Sequence, residues 1–281
     1  MAPRIWLITG ASSGFGRHLT ELVLSRGETV VAAVRRPAAL SDLSSKHTSE
    51  SLLVLKMDVT QPRNVIDGFD QVRKAFGRLD VVVNNAGWAM FGEVEGFQES
   101  IVRDLLETNF WGAALVTREA VKFFREVNPT GVGGRLIQNS SQVGVAALPT
   151  SGFYAASKAA LEAISEALAA ELDPAWNIKV TLIEGGGFQT EGVGKIVWQP
   201  DNPAYSHLKS QLARGFVPSG DPKKAVKVFY EVASLPAPPL HLPLGKDSIA
   251  LIRSKWASVS AEVDRHEYLS GDLEVDDRVH D

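Results

Sequence analysis

A chain of 281 residues, 44 % apolar and 22 % charged, is long enough to bury one full core, and its formal net charge of -4 builds no surface for a polyanion, so nucleic acid is not an expected partner. The complete lack of cysteine excludes a disulfide framework, thiol catalysis and cysteine-ligated metal. Met1-Ala2-Pro3-Arg4 leads straight into an apolar segment and no apolar run is long enough to span a membrane, so the expectation is a cytoplasmic protein without a signal peptide.

In chain order, Arg4 to Thr9 predicts a buried strand, Gly10-Ala11-Ser12-Ser13-Gly14-Phe15-Gly16 a tight turn, and Arg17 to Arg26 a helix. Glycines at such a turn let backbone N–H groups approach a pyrophosphate, and the helix amino end favours its negative charge; many strand-to-helix turns carry glycine for geometry alone. Thr29 to Val34 is the next strand. An NAD-selecting protein usually carries an acid at its end to bind the ribose 2'-hydroxyl. This chain has Arg35-Arg36 there, and a guanidinium, Arg35 first, pairs with the 2'-phosphate of NADP, with Ser12 or Ser13 as hydroxyl partners. The competing reading is a pair of solvated loop charges.

Leu52 to Met57 predicts a third strand ending at Asp58-Val59, Pro62 to Phe76 a helix, and Leu79 to Val83 a fourth strand. Asn84-Asn85-Ala86-Gly87 follows at a carboxyl-end loop, where open sheets bind ligands. A long helical region from Ser100 to Val127 is interrupted around Thr108 to Gly112, because Asn109 and Gly112 are poor helix-interior residues. Asn109 then either braces a lysine or holds a water through a local kink, or faces solvent. Arg135 to Asn139 is the fifth strand and delivers Ser140-Ser141 to its end, as a carbonyl-polarising hydroxyl or as turn-forming serines.

Tyr154-Ala155-Ala156-Ser157-Lys158 puts a phenol and an ammonium one turn apart on one helix face, at the start of a helix that Asp173-Pro174 ends. The lysine favours the phenolate, as a bound oxidised nicotinamide would, and moving tyrosine from about 10 to near 7 needs roughly 4 kcal/mol, a sum for two close cations in a partly dry site. Ile178 to Ile183 is a sixth strand, followed by Glu184 to Thr190. Residues 188–218 are irregular and predict a substrate loop. Asp221-Pro222 starts a helix, Leu240 to Leu244 makes a seventh strand, and the tail beyond Ile249 is helical and then acidic. The six histidines show no metal-ligand spacing, so no metal is expected. Alternating strands and helices predict an α/β fold with a parallel sheet of about seven strands and helices on both faces.

Together these motifs resemble the short-chain dehydrogenase/reductase family, in its compact single-domain form, over residues 4 to 250. The chain is similar to members acting as NADP-dependent carbonyl reductases and to hydroxysteroid- and retinol-dehydrogenase-like members. The resemblance implies a Rossmann-type doubly wound sheet, with a catalytic domain at 1–255 and a carboxyl-terminal extension at 256–281 that is partly helical, then flexible. It implies catalytic roles for Asn109, Ser141, Tyr154 and Lys158. For NADP(H) it implies contacts from Gly10, Ser12, Ser13, Gly14, Phe15, Gly16, Arg35, Asp58, Val59, Asn85, Ala86, Gly87, Tyr154, Lys158, Gly186, Phe188 and Thr190. Trp88, Val143, Phe153 and Trp198 are expected to line a pocket for an apolar carbonyl or alcohol. The family often pairs through this Ala-rich helix and the one holding Asn109, so a homodimer or homotetramer is expected. One departure is Gly185-Gly186 where the family has Pro-Gly, which predicts a looser loop. A non-catalytic NADP-binding sensor or scaffold is the reading from a different class.

Overall fold

The computed structural model describes residues 3–200, 202–208 and 218–273. Its strands are β1 (Ile5–Thr9), β2 (Thr29–Val34), β3 (Leu52–Lys56), β4 (Val81–Asn84), β5 (Met90–Phe91), β6 (Gly134–Asn139), β7 (Ile178–Gly185), β8 (Val197–Trp198) and β9 (His241–Leu244). Its α-helices are α1 (Gly14–Ser25), α2 (Ser41–Ser44), α3 (Pro62–Phe76), α4 (Glu99–Leu106), α5 (Ala113–Glu126), α6 (Gln142–Val145), α7 (Gly152–Glu171), α8 (Pro222–Val232) and α9 (Lys246–His266).

Seven strands form one sheet in the order β3-β2-β1-β4-β6-β7-β9, and every neighbouring pair is parallel. The inner strands read as unbroken apolar runs because both faces are covered. Trp6 and Ile8 of β1 turn towards Leu19 and Val23 of α1 and Phe229 of α8. Leu7 between them turns the other way, into a cluster with Phe69 of α3 and Val116 and Phe124 of α5. This is the doubly wound α/β architecture the sequence predicts.

The expected break in the long helix is a π-helical turn, Glu107–Gly112, between α4 and α5. Gly112 lets that turn sit against the end of β3, since an added Cβ would lie 2.8 Å from Val59 Cγ2 and 2.9 Å from the Val59 carbonyl. The loop predicted as irregular contains β8, which pairs with β5 in a small second sheet, and 3-10 turns at Val193–Lys195 and Pro203–Leu208. Asp221 caps α8 as expected, its Oδ1 accepting from Lys223 N at 2.8 Å. No break separates 255 from 256, because α9 runs through that position to His266. The predicted flexible end falls at residues 274–281, outside the described residues, as do 201 and 209–217 of the loop.

Candidate active site

The loops at the carboxyl ends of β1, β4, β6 and β7 enclose a cavity of about 1260 Å³. One hydrogen-bond chain ties three of those strands together beneath it. Thr9 Oγ1 accepts from the backbone N–H of both Asn85 and Ala86 at 2.9 Å, and Asn85 Nδ2 donates back to the Thr9 carbonyl at 2.9 Å. Asn139 Nδ2 donates to Asn85 Oδ1 at 2.9 Å, and the Asn139 carbonyl accepts from Lys158 Nζ at 2.7 Å. The Asn-Asn-Ala-Gly loop thus positions the lysine through β6.

Asn109 is buried inside the π-turn, which settles against a solvent-facing side chain. Its Oδ1 accepts from Trp88 N at 3.0 Å, while its Nδ2 donates to the Trp88 carbonyl at 2.9 Å and to Ser157 Oγ at 3.1 Å. These bonds compensate for a residue that weakens a helix interior. A Cβ on Gly87 would lie 3.0 Å from Asn109 Oδ1 and 3.8 Å from Lys158 Nζ, so the absence of a side chain there keeps the two groups close.

Burial pushes the Tyr154 phenol above its ordinary value, with the adjacent Ser141 hydroxyl pulling the other way. Burial also lowers Lys158 to about 8, opposed by Glu162 one turn along α7. The ammonium lies 5.9 Å from the Tyr154 ring centroid and is directed at the Asn139 carbonyl. In the chain without cofactor, burial sets the direction of the Tyr154 shift, and the cofactor cation that the lowered phenol also called for is not part of that balance.

At the other end of the cavity, Gly10 and Gly14 take φ of +67° and +56°, a region that side chains disfavour. The Gly14 N–H at the start of α1 donates to Glu191 Oε2 at 2.8 Å, and the Glu191 carboxyl is held below its ordinary value first by its own backbone N–H and then by this bond. The helix start thus already receives an anion, and the same donor chemistry suits a cofactor pyrophosphate. Ser12, Ser13, Phe15, Arg35, Asp58, Val59, Ala86 and Thr190 line this half. Arg35 and Arg36 are exposed at its rim, and Arg35 makes no ion pair among the described residues. Gly16 lies behind the wall, where an added Cβ would strike the Gly10 carbonyl and come within 2.7 Å of Asn85 Nδ2, so it serves the packing of α1 on the turn.

Trp88, Val143, Phe188 and Trp198 line the apolar half. Phe91 stacks on Trp198 at 5.3 Å and tilts against Tyr154 at 5.9 Å. Phe153 is the exception among the expected pocket residues. It points away, edge-on to Phe97 at 5.5 Å in the cluster under α4, because consecutive helical residues face different directions. The Gly185-Gly186 loop is tied down: Gly186 N donates to the Leu244 carbonyl at 2.9 Å, Gly220 N to the Gly187 carbonyl at 3.0 Å, and Gly187 N to Asp247 Oδ2 at 2.7 Å. A Cβ on Gly186 would collide with the Asp247 carboxylate. Asp247, in the first turn of α9, is a cavity residue that sequence reasoning missed.

A second missed group sits behind Lys158. Glu162, Glu184 and His241 come from α7, β7 and β9, and one nitrogen and two carboxylate oxygens lie within 4.8 Å of one another. His241 Nδ1 is 2.7 Å from Glu184 Oε1 and 3.7 Å from Glu162 Oε2. Burial raises Glu162 to about 7, and it raises Glu184 as well. No short-range spacing could signal a cluster assembled from three separate elements.

Known proteins resemble this chain in sequence and fold. The family model for short chain dehydrogenase matches residues 4–200. The chain is 37 % identical to the uncharacterized oxidoreductase C162.03 of Schizosaccharomyces pombe, over 96 % of this chain and 92 % of that protein. It is 34 % identical to the 3-ketodihydrosphingosine reductase of Bacteroides thetaiotaomicron, over 75 % of each. Its fold superposes on a short-chain dehydrogenase from Streptomyces avermitilis with a TM-score of 0.88 and 34 % identity, covering 97 % of this chain and 99 % of the other.

Proposed function

The chain belongs to the short-chain dehydrogenase family of oxidoreductases, and we propose that it reduces a ketone or aldehyde on an apolar or aromatic compound, and runs the reverse reaction, with NADP(H). The observation that carries this reading is the convergence of Tyr154, Ser141 and Lys158 on one cavity whose apolar half is lined by Trp88, Val143, Phe91 and Trp198. The chemistry that NADP(H) supplies when bound is hydride transfer at the carbonyl carbon. Tyr154 gives its proton to the carbonyl oxygen, and the Ser141 hydroxyl donates a hydrogen bond to the same oxygen. Lys158 supplies the positive charge that favours the phenolate left behind, and Asn109 fixes the loop across from it. Support for an apolar ketone comes from the lining and from the similarity to the 3-ketodihydrosphingosine reductase of Bacteroides thetaiotaomicron. Arg35 and Arg36 at the rim support the phosphorylated cofactor, and the strand end that would carry an NAD-selecting acid has none.

The test is absorbance at 340 nm with NADPH or NADH and a panel of apolar ketones and aldehydes, repeated as alcohols with the oxidised cofactors. Wild type is expected to consume NADPH, and Tyr154→Phe to lose turnover while still binding it. Cofactor binding without turnover in either direction would overturn the enzymatic reading. Because the Lys158 charge is lost as pH rises through about 8, kcat/KM, which reports the free enzyme, is expected to fall on the alkaline side from about that pH.

A further inference from the structure

Behind Lys158, where α7, β7 and the edge strand β9 meet, the chain gathers three ligand-bearing side chains that the proposed reaction does not use. The side chains of Glu184 and Glu162 are 2 % and 7 % exposed, so two carboxylates share one dry space. Neither oxygen of Glu162 has a hydrogen-bond partner among the described residues, and the Ser140 hydroxyl beside it is likewise unpartnered. The Lys158 ammonium, one turn earlier on α7, is directed at the Asn139 carbonyl. A buried carboxylate left without bonds is unfavourable, and a cation held against it offsets that penalty.

The ligand types and their spacing select the ion. His241 Nδ1 stands 2.7 Å from Glu184 Oε1 and 3.7 Å from Glu162 Oε2, and the three ligand atoms lie within 4.8 Å of one another. A four-coordinate Zn²⁺ with bonds of about 2.0–2.1 Å keeps its ligand atoms about 3.3 Å apart, a value that the two nitrogen-to-oxygen separations bracket. One imidazole with two carboxylates suits such an ion better than the all-oxygen shells that Mg²⁺ and Ca²⁺ prefer. On the other side of the ring, His241 Nε2 is 3.7 Å from Glu166 Oε1, the place of the outer carboxylate that orients a metal-bound histidine. The side chains of His241 and Glu166 are 42 % and 53 % exposed, which gives an ion a path from solvent and leaves room for water as fourth ligand. We propose that Glu162, Glu184 and His241 form a binding site for a divalent cation of the Zn²⁺ class, which clamps β9 and β7 to α7. None of the three lines the cavity, so the proposal stands or falls independently of the reaction.

Calorimetric titration of the chelator-treated full-length protein with Zn²⁺ tests it, with melting followed by far-UV circular dichroism. Wild type is expected to take up one ion at this site and to melt about 5 °C higher with Zn²⁺ at about a hundred times its Kd than in chelator. His241→Ala and Glu184→Gln should each weaken uptake by about tenfold or more, since even the loss of an outer partner of a ligand does so. Glu162→Gln removes the unpartnered carboxylate, so in chelator it should be no less stable than wild type, yet it should lose both the uptake and the gain in melting. His266→Ala, on the exposed end of α9, should bind as wild type does. A wild type that takes up no Zn²⁺, or uptake that His241→Ala leaves unchanged, overturns the proposal. Mg²⁺ bound as tightly as Zn²⁺ would overturn the choice of ion, and uptake without any gain in melting would overturn the clamp.

Discussion

Burial acts on Lys158 and Glu162, neighbours one turn apart, by disfavouring the charged form of each, so the ammonium falls to about 8 and the carboxyl rises to about 7. Because the folded chain holds the Glu162 proton more tightly than the unfolded chain, its contribution to stability is complete below about 4.5 and is lost as pH rises through about 7. The full difference has a ceiling of roughly 3 kcal/mol. Glu162→Gln, neutral at every pH, should therefore melt progressively higher than wild type between mildly acidic and mildly alkaline pH, by about 5 °C or more at the alkaline end. A melting difference that does not change with pH would contradict this account. Arg35 lends itself to a comparison of cofactors. If its guanidinium meets a 2'-phosphate, Arg35→Ala should raise the KM for NADPH by about tenfold or more and leave NADH nearly unchanged; equal effects on both would remove it from cofactor selection.

The π-turn shows how an element is settled by what it packs against. Asn109 and Gly112 announce a weak point in the helix by residue type alone. Its geometry depends on distant partners: the Trp88 backbone that Asn109 bonds, and the Val59 side chain that leaves no room beside Gly112. Gly112→Ala forces that contact apart and is expected to destabilise the protein by about 1–3 kcal/mol, read as a lower denaturant midpoint with unchanged slope. The loop after β7 gives the converse case. Gly185-Gly186 suggests looseness when only the unfolded chain is considered, yet Asp247, sixty residues later, accepts from Gly187 and occupies the space a Gly186 side chain would need. The β5 and β8 pairing was illegible for a simpler reason: two residues per strand carry no periodicity.

Across the whole molecule, the cavity is walled by residues from Gly10 to Leu251, so a cofactor bridging its walls stabilises the assembled sheet and not the unfolded chain. By mass action, NADPH at about a hundred times its Kd should stabilise by about 2.7 kcal/mol. That corresponds to a rise in melting temperature of about 5–10 °C, with a smaller rise for NADH at equal concentration. An equal response to both cofactors would count against the selectivity proposed for Arg35. None of the described helices is long and apolar enough to cross a membrane. The sequence by itself determined the alternation of strands and helices, the glycine turn, the break at Asn109 and the Tyr154–Lys158 helix face, because each is written in local spacing or residue type. Only the tertiary structure decided that Phe153 leaves the cavity while Asp247 enters it, that burial raises the Tyr154 phenol, and that Glu162, Glu184 and His241 meet. Those outcomes depend on which distant atoms exclude water from a given side chain, and desolvation is a property of the assembled volume, with no counterpart in local order.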